Sequence, residues 1–361
     1  MDQPVNHFLH VKIKTLDGFR GLAVILVCCY HYLHFFSFGW TGVDLFFILS
    51  GFLITGKLIE SIDSNHYFRS FYLKRILRIV PLYFSVLLIF FVIIPLLLPS
   101  FVSVSFKELL QQQIYYWTFT ANLYDAVHGW PLNITLIHFW SLACEMQFYL
   151  VWPFIVYFFY GKRKSMVIIL IALCLSGLLF RIYGHFFLVF SSIYRYVLMP
   201  CRLDAFCAGA LLYMFVSRNK IILYKKIFLS VSLLALGSIL LIMAIMQVPW
   251  HFSADTVSKY GYTLDAIFWS TFIAFTLCSD THLLQRIFTG SLITWFGKYS
   301  YGIYIFHLPV FVIISRQHLL NAGSQDKTWS LAAIAFITTC LCSFASYHLL
   351  EKHFLKLKPV R

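Results

Sequence analysis

Ten apolar runs, each long enough to cross a bilayer, take up most of this 361-residue chain. We read them at roughly 16–38, 41–59, 79–99, 139–160, 165–183, 200–217, 227–247, 261–279, 295–315 and 329–350. Inside hydrocarbon every backbone N–H and C=O must be satisfied by the chain itself, which leaves helices and closed barrels. These runs are continuous rather than alternating, and about 20 residues long rather than about 10, so they predict helices. Charged residues are 12% of the chain, against about 25% in a soluble domain. The expected fold is all-α: a polytopic membrane bundle of about ten transmembrane helices, one domain over residues 1–361. Met1–Lys14 is polar and lacks a small-residue cleavage site, so the first run is expected to stay as a span.

The formal net charge of +14 would suit nucleic acid, but its distribution assigns it to topology. With the N-terminus in the cytoplasm, nineteen Lys and Arg fall on the inner side and five in the outer loops. Both termini are therefore expected inside, with membrane lipids and no nucleic acid as partners. The nine cysteines are scattered without a CxxC pair, which argues against a disulfide framework or a zinc site, and no metal is expected. Two non-spanning segments stand out. His66–Arg78 is aromatic and basic, and is expected to lie along the inner membrane surface as an amphipathic helix. Phe101–His138 is the longest outer connection and is expected to fold over the outer face.

Ionisable residues within lipid-length helices are costly unless they face a bundle interior or a wet cavity. The stretch Leu16–Phe52 carries Arg20 and His31 eleven residues apart in its first helix and Asp44 at the start of its second. Eleven helical residues make about three turns and about 16 Å, so Arg20 and His31 share a face. Glu145 enters from the outer side about 9 Å deep in WSLACEMQFYLVWPF. Coarse topology thus gathers His31, Asp44 and Glu145 in the outer half. A histidine with nearby carboxylates is the minimum for a base that takes a hydroxyl proton. Arg75 and Arg78 are three apart and share one side of a helix, with Lys74 adjacent and Arg20 near the inner end of the first span. Such cations fit either lipid headgroups or a phosphate-rich cytosolic ligand. Arg202 and Asp204 in CRLDAF either pair with other helices or contact substrate. Tyr304 and His307, three apart in WFGKYSYGIYIFHLP, are candidates to line a cavity.

Taken together, these segments resemble the acyltransferase 3 family of integral-membrane acyltransferases. The resemblance is carried by LDGFRGLAVILVCCYHY, with ten residues between Arg20 and His31, by GVDLFFILSGFLI, by FYLKRILRIVPLYF with Arg75-x-x-Arg78, by WSLACEMQFYLVWP, by RLDAFCAGALL and by GKYSYGIYIFH. They run in family order from about residue 15 to 355. Members usually have two consecutive glutamates in the WSL motif; here the second position is Met146, so only Glu145 inherits a role.

The resemblance implies transfer of an acyl group, commonly acetyl from acetyl-CoA, to a hydroxyl of a cell-surface carbohydrate, at the bacterial cytoplasmic (inner) membrane. Some members carry a fused soluble esterase-like domain, for which these spans leave no room. A stand-alone form of this length looks most like the enzymes acting on lipopolysaccharide O-antigen or exopolysaccharide. The implied catalytic residues are His31, Glu145 and Asp44. Arg20, Arg75, Arg78, Tyr304 and His307 are assigned to the acyl-CoA, which approaches from the cytoplasm. Trp140, Arg202 and Asp204 are assigned to the glycan or lipid-linked oligosaccharide acceptor, which approaches from the outer side. His31 would act as general base or carry the acyl group as acyl-imidazole. A non-enzymatic exporter of a glycan or lipid-linked intermediate, and an O-acyltransferase of macrolide-like small molecules, are the competing readings.

Overall fold

The computed structural model describes residues 3–33, 36–216, 221–247, 249–279, 282–321 and 328–357. Ten long helices organise them: α1 (Gln3–Tyr32), α2 (Thr41–Glu60), α3 (Tyr67–Leu88), α4 (Phe139–Phe159), α5 (Arg163–Phe186), α6 (Leu203–Val216), α7 (Lys225–Met246), α8 (Tyr262–Cys278), α9 (Ser291–Asn321) and α10 (Thr328–Ser346). There is no strand among the described residues, so the all-α expectation holds. Nine helical segments among the described residues are long and apolar enough to cross a membrane. The tenth expected span, α1, is not among them, because Asp17, Arg20 and His31 interrupt its apolar stretch. The chain is a multi-pass membrane protein.

The structure divides into two compact units. One comprises residues 1–60, 156–196 and 200–300; the other comprises 61–155, 197–199 and 301–361. In the first, α2 and α6 touch backbone to backbone. A Cβ on Gly51 would collide with the Phe206 carbonyl, and one on Gly209 with the Ile48 carbonyl. Helices in lipid gain little from apolar burial against each other, and small residues that admit close approach supply the attraction instead. The Phe47 and Phe206 rings stack beside this contact at 4.5 Å.

The second unit differs from expectation in one element. The basic stretch His66–Arg78 is not a separate surface helix. From Tyr67 it is the first half of α3, which continues through Pro81 and a π-turn at Ile89–Ile93 to Leu97. Nothing between Tyr67 and Val80 breaks a helix, and neighbouring hydroxyls support the backbone around the prolines. Tyr301 donates to the Ile79 carbonyl at 2.7 Å, and Tyr67 and Tyr72 donate to the Pro153 and Leu150 carbonyls of α4 at 3.1 and 2.8 Å. The connection after α3 folds into short helices, Val104–Gln111, Gln113–Trp117 and Ala121–His128. It is clasped to α4 by a reciprocal amide pair: Asn122 donates to Gln147 at 3.2 Å and Gln147 donates back at 2.9 Å.

Candidate active site

In the first unit, α1 runs unbroken from Arg20 to His31, so the rise of about 16 Å follows directly from helix geometry. Arg20 bonds Asp17 one turn earlier at 2.9 Å, a partner the spacing argument had not singled out. His31 is half-buried, with the Tyr30 ring edge-on at 4.9 Å. The Tyr30 hydroxyl bonds His251 Nε2 at 2.8 Å.

Several buried ionisable residues of this unit have polar partners within it. Asp44 forms an ion pair with Arg202, both at 0% exposure, and the Arg202 guanidinium lies 4.0 Å over the Tyr262 ring. Asp204 accepts from Arg181 at 2.7 Å and from Thr263 at 2.7 Å. Asp265 accepts from the Trp250 indole at 3.1 Å. Buried charges need partners of this kind. Of the two readings left open for Arg202 and Asp204, the geometry gives pairing to other helices, and it occupies Asp44 in the same way.

In the second unit, Glu145 on α4 accepts a hydrogen bond from Tyr149, one turn along the same helix. The Arg75 guanidinium lies over the Tyr149 ring at 5.8 Å and beside Phe71 at 6.0 Å. Arg78 and Glu145 are within electrostatic reach of Arg75. Tyr301 is within reach of Glu145, Arg78 and Glu351. Glu351 also receives the Ser346 hydroxyl at 3.0 Å. Two cations, two carboxylates and two phenols thus converge inside lipid-length helices, the arrangement expected of a functional interior.

A histidine cluster adjoins it. Tyr304 bonds Ser141 and donates to the His138 carbonyl at 3.2 Å. His307 Nδ1 donates to the Tyr304 carbonyl at 2.6 Å. The His138 and His307 rings lie 4.6 Å apart. Trp140, one turn into this region, is 4% exposed. Tyr149, Tyr301, Ser141 and His138 were not among the expected site residues. Tyr149 was readable as the i+4 neighbour of Glu145; His138 depends on a tertiary contact with α9 that spacing does not encode.

Residues 13–348 match the acyltransferase domain family. Among curated proteins, the chain is 28% identical to the Bacillus subtilis protein YrhL, over 95% of this chain and 55% of that protein. It is 26% identical to the peptidoglycan O-acetyltransferase OatA of Listeria monocytogenes, over 90% and 54%. It is 25% identical to the O-acetyltransferase OatA of Staphylococcus aureus, over 94% and 56%. The chain therefore spans about half the length of these relatives. No solved structure matches it. A family match that covers nearly every helix, and takes in the Arg20–His31 spacing, the Arg75–Arg78 pair and Glu145, shows that this chain belongs to the acyltransferase 3 family.

Proposed function

We propose that this protein transfers an acetyl group from acetyl-CoA to a hydroxyl of a cell-surface glycan, from a multi-pass position in the cytoplasmic membrane with both termini inside. The observation that carries the reading is that Arg75 lies over the ring of Tyr149, which donates to Glu145, inside membrane-length helices of an acyltransferase-family chain. Guanidinium groups match phosphate oxygens, so Arg75 and Arg78 hold the phosphates of the donor. Glu145, fixed by Tyr149, keeps Arg75 oriented. His31 takes the proton as the acceptor oxygen attacks the thioester carbonyl. The carbon–sulfur bond then breaks and coenzyme A leaves as its thiol. In the covalent variant, His31 first attacks the thioester and the acceptor hydroxyl then displaces the imidazole.

The relatives' names favour peptidoglycan as the glycan over the O-antigen suggested by the length of the chain. Two measurements test this reading. Purified protein in detergent, given radiolabelled acetyl-CoA, should hydrolyse it or retain label; if it does neither, the exporter reading is supported instead. Mass spectrometry of muropeptides and surface polysaccharide from a strain lacking the gene should show which glycan loses one acetyl substituent. Loss from neither would overturn the glycan assignment and leave the small-molecule acceptor.

A further inference from the structure

The last turn of α1 presents a tyrosine and a histidine in succession, Tyr30 and His31. Successive helical residues point about 100° apart, yet these two rings meet edge-on at 4.9 Å, with their planes 78° apart. Tyr30 is held from outside the helix. Gly39 in the Ser37–Trp40 turn packs its backbone against it, where an added Cβ would lie 2.9 Å from the Tyr30 Cβ. The Tyr30 hydroxyl meets His251 Nε2 at 2.8 Å, and His251 belongs to a connection that is fixed on both sides. The Trp40 indole donates to the Trp250 carbonyl at 3.0 Å, and the Tyr262 hydroxyl donates to the Phe252 carbonyl at 2.8 Å. The Trp250 indole in turn donates to Asp265 at 3.1 Å. Anchoring of this kind is what a positioned functional group needs.

The hydrogen bonds also fix which way the protons point. The Ser253 backbone N–H donates to His251 Nδ1 at 3.3 Å, and the Ser253 hydroxyl lies 2.7 Å from the same nitrogen. A backbone amide only donates, so Nδ1 is the unprotonated nitrogen and the neutral ring carries its proton on Nε2. Burial lowers the His251 pKa and favours that neutral form. Nε2–H therefore donates to the Tyr30 oxygen, and the phenol turns its own proton away from His251. Among the described residues no acceptor takes that proton. A hydroxyl oxygen that accepts a hydrogen bond becomes a better donor. Tyr30 is thus a polarised donor with a fixed partner, beside the proposed base.

We propose that Tyr30 is the oxyanion donor of the transfer reaction and that His251 is its positioning residue. The proposal rests on the His31 reading above and adds a second group to that site. As the acceptor oxygen attacks, its bond to the carbonyl carbon forms, its proton passes to His31, and the carbonyl π pair moves onto oxygen. The Tyr30 hydroxyl donates a hydrogen bond to that oxyanion and keeps its proton. The pair then returns, the carbon–sulfur bond breaks, and the leaving thiolate takes the proton from His31. Attacking oxygen and oxyanion occupy different corners of the tetrahedral centre, so base and donor have to approach it from different directions, as two rings set edge-on do.

The experiment centres on Tyr30→Phe, which removes the hydroxyl and keeps the ring, in purified full-length protein. Release of thiol from acetyl-CoA, with water in the acceptor's place, should fall by about 10²–10³ in kcat, the worth of one oxyanion donor. KM and melting temperature should not change. His251→Leu should lower kcat by about tenfold, the order of one hydrogen bond, and His251→Gln, whose amide nitrogen stands in for Nε2, should restore it. A mere tether between the connection and α1 gives the opposite split, lower melting temperatures with kcat unmoved, and that result would overturn the proposal. Binding supplies a readout without turnover. Trifluoroacetonyl-CoA hydrates to a tetrahedral centre, whereas acetonyl-CoA keeps a planar ketone. Tyr30→Phe should weaken binding of the first by about tenfold and leave the second unchanged; equal effects on both would overturn the proposal. His31→Ala, assayed alongside, keeps the two readings apart. If it alone is inactive, the oxyanion role falls and the base stands; if Tyr30→Phe alone is inactive, the base falls and the donor stands. Binding of neither analogue would overturn both.

Discussion

His31 is the residue whose chemistry the proposed reaction cannot replace. Its substitution by alanine should lower acetyl transfer by about 10²–10⁴, the worth of a positioned base. Melting temperature should stay near wild type, because the ring is half-buried rather than packed in the core. A variant with more than about a tenth of wild-type turnover would remove His31 from the base role. Asp44 calls for a different expectation. It is occupied by Arg202 and fully buried, so Asp44→Ala should destabilise by about 3–5 kcal/mol by stranding a buried cation. The double variant Asp44→Ala, Arg202→Met should recover much of that stability and some transfer activity. A stable but inactive double variant would restore Asp44 to the chemistry. The Arg20–His31 relation was legible because both lie on one helix, where spacing fixes geometry. Asp44 and Arg202 sit on helices far apart in sequence. No local pattern encodes their pairing, so the sequence left both as candidate site residues.

At the scale of elements, the Ala121–His128 helix carries a buried carboxyl, Asp125, at 1% exposure. Burial raises its pKa from the ordinary 3.8 to about 8. The folded chain therefore holds a proton that the unfolded chain releases over that interval. Stability should fall as pH rises from about 4 to about 8 and level off above. Asp125→Asn should remove this slope, so its advantage in melting temperature should grow across the same window; a constant offset from pH 5 to 9 would refute the assignment. The basic element of α3 shows where sequence reading stopped. Arg75 and Arg78 were correctly placed on one helical side, but the aromatic, basic stretch to Arg78 and the apolar run from Ile79 were read as separate elements. The helix runs on through Pro81, with the Tyr301 hydroxyl of the same unit bonded to the Ile79 carbonyl beside it.

For the whole molecule, the proposed sidedness of the reaction rests on the Lys and Arg distribution. Sealed right-side-out vesicles with acetyl-CoA only in the lumen should acetylate acceptor added outside. Product formed only when donor and acceptor share a compartment would contradict the cytosolic-donor reading. The ten apolar runs were legible because lipid imposes one length and one backbone solution on every span. Ten runs became nine candidate spans among the described residues because Asp17, Arg20 and His31 lower the hydropathy of α1.

The contact between α2 and α6 bears on motion as well as stability. Where Gly51 meets Phe206 and Gly209 meets Ile48, no layer of side chains separates the two backbones. A one-turn ratchet of one helix past the other would drive carbonyls into Cβ atoms on the adjoining residues, and rotamer changes offer no relief. Any stroke that these helices make during a catalytic cycle is therefore a stroke of the pair, with the Asp44–Arg202 ion pair acting as a pin at its N-terminal end. Bending has to be absorbed at the connections, such as the Ser37–Trp40 turn that leads into α2.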